Sequence, residues 1–214
     1  MGITKLFTLG GIVIWPLLVG SIVVVSLIFE RSLFWWQITQ NQKQVINTFL
    51  ADYDQQPKAA IEQLKKHKAL PLARIFLAAL ALEQATPEDF KLALESAAQA
   101  EIPLLKRFSP VFETVVGIAP LLGLLGTIFG LMGALASVRI GDVGTAQAAG
   151  VTAGIGEALF STAFGLMVAI ITLLFANVFQ GLYRHQRAAI AEYGGLLEIA
   201  YRRYYRQFIS RQGR

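Results

Sequence analysis

Four polar side chains stand where the chain otherwise offers apolar ones. Thr127 lies within Thr114 to Val138, a run with no charged residue, and Glu157, Ser161 and Thr162 stand at the head of a second such run, Ala158 to Tyr183. A carboxylate can hold or neutralise a cation, and hydroxyls aimed at a shared cavity can hold water or relay a cation. Plainer readings stand beside these. Each hydroxyl can bond the carbonyl one turn back on its own helix. Glu157 can be a solvated carboxylate at the membrane interface. A charge at the bilayer centre costs about 2.5–3.5 kcal/mol, so such residues usually face a cavity or ion path. The apolar run starts only after Glu157, however, and a helix beginning near Val151 puts Glu157 in its second turn. Spacing alone decides none of this. Enzyme chemistry is not indicated. There is no Cys, His67 and His185 are isolated and read as interfacial or packing residues, and no nucleophile–base constellation appears. No cofactor motif or metal-ligand set is present either.

The elements that must position these groups are helices. At about 100° per residue, Ala119, Gly123, Gly126, Thr127, Gly130, Ala134 and Ser137 share a stripe roughly 100° wide. In the next run Glu157, Ala158, Ser161, Thr162, Gly165, Ala169, Thr172 and Ala176 share a face of roughly 140°. The opposite faces carry Leu, Ile, Val, Phe and Met. Small residues let membrane helices approach closely, and Gly126-x-x-x-Gly130 has that spacing. Gly123, Gly126, Gly130, Gly165 and Ala169 are therefore expected packing positions.

Leu6 to Phe29 is a third uncharged run, and each of the three has at least 24 residues. About 20 suffice to cross a hydrocarbon core of ~30 Å. Only 15% of the chain is charged and 55% is hydrophobic, against roughly 25% charged in soluble proteins. The fold class expected is an all-α integral membrane protein with three transmembrane helices. Residues 1–30, 112–138 and 151–183 hold the spans. The first span is too long for a signal peptide and lacks a cleavage site. Pro16 and Pro120 are tolerable where neighbouring helices re-satisfy freed carbonyls.

Lys5 and Arg139 lie on one side of the spans, and the other seventeen Lys and Arg lie on the other. Basic residues mark the cytoplasmic side. The expectation is an outer N-terminus, a cytoplasmic segment 31–111, a short periplasmic link 139–150 and a cytoplasmic tail 184–214. Trp35 and Trp36 would anchor the inner interface. The net charge of +5 then reads as a basic cytoplasmic face. Arg202, Arg203, Tyr204, Tyr205 and Arg206 mix basic and aromatic residues as some nucleic-acid binders do, but attraction to anionic membrane lipids accounts for the same residues. No nucleic-acid partner is expected.

The segment 31–111 is too long for a simple connection and reads as helices. Lys58 to Lys68 is a polar helix, and Leu72 to Gln84 a packed one. Thr86 caps a third that begins at Pro87 and runs to about Ala100. Pro103 and Pro110 interrupt or bend the approach to the second span. In the tail, Ile190, Tyr193, Leu197, Ala200, Tyr204 and Phe208 recur at helical spacing, which predicts an amphipathic extension of the third span. Gly194 and Gly195 weaken its continuity.

Ala119-Pro-Leu-Leu-Gly-Leu-Leu-Gly-Thr127-Ile-Phe-Gly-Leu-Met132 is very similar to the second-span motif of the ExbB and TolQ branches of the ExbB/TolQ/MotA family. Gly154-Ile-Gly-Glu157-Ala-Leu-Phe-Ser-Thr162-Ala-Phe-Gly-Leu-Met-Val-Ala169 is similar to their third-span motif, G-I-A-E-A-L-x-x-T-A-x-G-L-x-x-A. The three-span topology agrees with ExbB and TolQ rather than with four-span MotA relatives. The resemblance implies a channel or stator subunit of a motor in a bacterial inner membrane, driven by the proton-motive force. Five copies would form a ring whose second and third spans line a pore. Two single-span helices of an ExbD/TolR-like partner, each with a membrane aspartate, would sit inside it, and a TonB/TolA-like protein would follow in the same complex. Thr127 and Thr162 match the family's pore threonines, and Glu157 its pore glutamate. Ser161 adds a hydroxyl where relatives often have Ala. Ala153 and Gly156 depart from the common Pro and Ala. The competing readings are a non-conducting scaffold and a self-sufficient small-solute channel. H⁺ against Na⁺, and the load driven, stay open.

Overall fold

The computed structural model describes residues 12–82, 85–137 and 145–212. Over these it contains α1 (Ile14–Tyr53), α2 (Pro57–Lys65), α3 (Pro71–Leu80), α4 (Pro87–Leu105), α5 (Ser109–Ala136) and α6 (Thr145–Gln212). Three helical stretches, in α1, in α4–α5 and in α6, are long and apolar enough to cross a membrane. The chain is an all-α membrane protein. Lys5, Arg139 and the first part of the expected link lie outside the described residues.

The contacts divide the chain into two compact units, residues 1–30 with 108–178 and residues 31–107 with 179–214. The first holds the first two uncharged runs and most of the third. Val13, Leu17, Ala119, Val168 and Ala169 form its core. Val19, Ile22, Leu121, Leu124, Leu159, Ile170 and Leu174 point outward and are exposed. A bilayer, not water, is the solvent that suits such a surface. Pro120 stays inside α5. Pro16 falls in the first turn of α1, where a missing N–H breaks no bond.

In the second unit α2, α3 and α4 share a core with the later parts of α1 and α6, including Ile46, Phe49, Leu64, Leu72, Phe76, Phe90 and Leu197. Proline opens each short helix, at Pro57, Pro71 and Pro87, where its fixed φ suits the first turn. Thr86 caps α4. Its Oγ1 accepts from the Asp89 N–H at 3.2 Å and donates to the Asp89 carboxylate at 2.7 Å. Arg74 of α3 grips Glu101 of α4 through Nε and Nη2, both at 2.7 Å, and donates through Nη1 to the Lys68 and Ala69 carbonyls. This fork geometry ties α3, α4 and the preceding turn together.

Several helix limits differ from the sequence reading. α2 ends at Lys65 rather than Lys68, and α3 at Leu80 rather than Gln84, which lies outside the described residues. α4 continues through Pro103 to Leu105 rather than stopping near Ala100. Pro103 is exposed, so the carbonyl left without an intrahelical donor can turn to water. The break comes instead at Phe108, whose φ of 69° is left-handed, and Pro110 then starts α5 rather than interrupting it. α6 begins at Thr145, six residues before Val151. It also passes unbroken through Gly194 and Gly195, because Tyr193 and Leu197 on either side are buried. In its tail Tyr193, Leu197 and Ala200 are buried as the spacing predicts, but Tyr204 is 44% exposed. Tyr201 turns inward beside it, stacks on Phe90 at 3.9 Å and donates to the Ala85 carbonyl at 2.9 Å. The Tyr204 ring lies 6.4 Å, centroid to centroid, from that of Tyr53 at the end of α1. The side chain of Phe208 lies outside the described residues.

Candidate functional site

Within the first unit α5 and α6 run antiparallel, and the small-residue stripes of both meet. A β-carbon on Gly130 would come within 2.8 Å of the Gly154 carbonyl and 2.9 Å of the Ala158 nitrogen. One on Gly123 would lie 3.0 Å from both the Ser161 carbonyl and the Thr162 Cα. One on Gly126 would run into the Ser161 side chain, and one on Gly165 would approach Gly123 Cα at 3.1 Å. Ala169 packs in the core beside Ala119. Backbone-to-backbone approach of this kind is what small residues permit in a membrane. Gly154, facing Ala134 and Gly130, belongs to the same seam. The sequence stripe missed it, although the small residues around it (Gly150, Ala153) were a usable signal.

The hydroxyls of this seam use their protons on backbone carbonyls. Ser161 is fully buried and donates to its own helix, at 2.9 Å to Ala158 and 3.0 Å to Glu157. Thr127 donates to the Leu124 carbonyl at 2.6 Å, and the buried Thr172 to Val168 at 2.6 Å. Thr162 differs. It donates across the seam to the Gly123 carbonyl at 3.0 Å, a bond that neither a back-bonded nor a freely cavity-facing hydroxyl anticipates. Each of these oxygens keeps its acceptor lone pairs. Thr127 and Thr162 are half-buried, so part of each side chain remains reachable from outside the pair.

Glu157 is also half-buried. With α6 beginning at Thr145, it lies twelve residues into the helix, about 18 Å along the axis at 1.5 Å per residue. It is beyond the third turn, not in the second. Gly130 fits between Gly154 and Ala158, so Glu157 stands level with Gly130. That level is six residues inside the far end of α5 at Ala136, about 9 Å. The arrangement is a closely packed helix pair fixed by small residues, with Thr162 bonded across the seam and Glu157 and Thr127 on its flanks. It can offer acceptors to water or a cation. The structure gathers Ser161, Thr162, Gly123, Gly126 and Gly165 into the seam itself, with Thr127 and Glu157 on its flanks.

Comparison with known proteins bears on this arrangement. Residues 67–192 match the MotA/TolQ/ExbB proton channel family. The chain is 55% identical over 198 residues to biopolymer transport protein ExbB-like 3 of Synechocystis sp., covering 92% of this chain and 94% of that one. It is 39% identical over 204 residues to ExbB-like 1 of the same organism, covering 92% and 78%. To the Tol-Pal system protein TolQ of Haemophilus influenzae it is 36% identical over 85 residues, 40% of this chain and 36% of that one.

Proposed function

Because the chain belongs to the MotA/TolQ/ExbB proton channel family, we propose that it is the channel and stator subunit of an inner-membrane motor driven by the proton-motive force. Protons descending the membrane potential release about 2.3 kcal/mol per charge per 100 mV. In this reading five copies close into a ring, and α5 and α6 of each line its centre. An ExbD/TolR-like partner helix stands inside and carries the aspartate that takes up and releases protons. The N-terminus is periplasmic, and the second unit is cytoplasmic and holds the ring together. Thr127, Thr162 and Glu157 supply acceptors along the ion path, and Ser161 sets the spacing of the helices behind it. A TonB/TolA-like protein would pass the work to nutrient uptake across the outer membrane or to envelope maintenance.

One observation carries this reading. Glu157 and Thr127 are part-exposed on two otherwise lipid-suited helices, with Glu157 about 9 Å inside the far end of the neighbouring helix α5. A lone subunit would show that carboxylate to hydrocarbon at a cost of about 2.5–3.5 kcal/mol. A ring turns the same surface toward a hydrated centre and a companion helix.

The test is proton flux in vesicles holding the chain with the single-span protein that co-purifies in mild detergent. Flux should need that partner, and Glu157→Ala should abolish it with the complex still assembled. Normal energised work by the Glu157→Ala complex would make the carboxylate a bystander. The committed hydroxyl protons favour one competing reading, a non-conducting scaffold. Function that survives collapse of the membrane potential would select it.

A further inference from the structure

In the second unit α1 and α6 lie side by side and parallel: Gln42 meets Gln186, and further along Tyr53 meets Tyr204. The buried residues of α1 here are Trp35, Ile38, Gln42, Ile46, Phe49 and Tyr53, three or four apart. On α6 the inward positions include Leu182, Gln186, Ala189, Tyr193, Leu197 and Ala200, again three or four apart. This is the spacing of a coiled-coil seam. Beside the Gln42–Gln186 pair both helices present apolar side chains, Trp35 and Ile38 from α1 and Leu182, Ala189 and Tyr193 from α6, whereas further along Phe49 meets Phe76 of α3 and Tyr201 stacks on Phe90 of α4. Near the pair, sliding one helix along the other by a repeat would therefore still bury apolar against apolar.

One layer is different. Gln42 and Gln186 are 5% and 4% exposed. Each amide donates to the other's carbonyl oxygen, Gln42 Nε2 to Gln186 Oε1 at 2.8 Å and Gln186 Nε2 to Gln42 Oε1 at 3.0 Å. Trp35, Ile38, Leu182 and Ala189 border the small cavity beside them, with the exposed Thr39, Lys43 and His185 at its rim. Two buried amides satisfy each other in one register only. In any other, each faces an apolar partner and keeps the full desolvation cost of an unmade bond. A polar residue at a single seam position is the device by which parallel helices fix register at some expense in stability.

We propose that the Gln42–Gln186 amide pair is a register lock that holds α1 and α6 at one axial offset in the second unit, so that they move as one body. The apolar layers supply the adhesion, and the pair selects which layers meet. This assignment does not depend on the motor reading.

The lock is tested by near-isosteric Gln→Met changes in the full chain, in its assembled form. Gln42→Met or Gln186→Met alone strands one buried amide and should lower the thermal midpoint by about 3–8 °C, whereas the double variant should recover most of that loss. Offset is read separately. The chain has no cysteine, so nitroxides placed by Asn47→Cys and Ala188→Cys, both exposed positions, label it uniquely. Labelled subunits are diluted into unlabelled chain, so that distances within one subunit dominate. With both glutamines present the distance distribution should be single and narrow. In the double Met variant it should broaden or split by at least about 5 Å, one helical turn. A double variant with one unshifted distance would overturn the lock, as would single variants as stable as the parent.

Discussion

At the scale of single residues, the α5–α6 seam converts side-chain size into helix separation. Gly126 touches Ser161, so Gly126→Ala should cost about 1–3 kcal/mol through overpacking. Adding Ser161→Gly should return much of that loss, and a double-mutant cycle on unfolding in detergent checks the coupling. Thr162→Val keeps the volume but removes the bond to the Gly123 carbonyl. It should cost about 0.6–1.7 kcal/mol of helix association and reduce partner-dependent proton flux. Wild-type flux in that variant would confine Thr162 to packing. The small-residue positions were legible because a 100° rotation per residue places them on one face whatever the neighbour is. The partner of the Thr162 hydroxyl was not legible, because it belongs to a helix whose axial offset no local spacing records.

At the scale of elements, helix beginnings were easier to read than helix ends. Thr86-Pro87-Glu88-Asp89 carries its own cap chemistry, and the cap forms as those residues dictate. Thr86→Ala should cost α4 about 1 kcal/mol, visible as faster amide exchange in its first turn. The end of α4 was misread because Pro103 breaks a helix only where its lost bond cannot be replaced, which depends on exposure. The start of α6 was misread because Ala, Gln and Gly before Val151 carry no cap signal. The Arg74–Glu101 fork, absent from any sequence pattern, joins residues 27 apart. Glu101→Ala leaves the guanidinium with backbone carbonyls alone and should cost about 1.5–3 kcal/mol, read as a lower midpoint for the second unit.

At the scale of the molecule, the two units answer to different solvents. The first exposes apolar side chains and needs a bilayer, whereas the second has a closed aromatic core that titrates. Burial, and then the neighbouring tyrosines, raise the Tyr53 phenol above its ordinary value of 10.0, and burial raises Tyr201 likewise. Folding thus favours the neutral phenols. That stability is fully present below pH ~10 and is lost as pH rises further, because the unfolded chain ionises first. The thermal midpoint of the second unit should therefore fall steeply above pH ~10, and Tyr53→Phe should flatten the fall. Three membrane helices, a polar helical segment and the small-residue faces were determined by the sequence alone. Long uncharged runs and helical periodicity are local properties, and hydrocarbon leaves the backbone no alternative to a helix. Only the tertiary structure decided which carbonyl receives the Thr162 proton, how far Glu157 stands from the end of α5, and that Gln42 finds Gln186. Each depends on the offset between two helices distant in sequence, and that offset is set by packing across their contact.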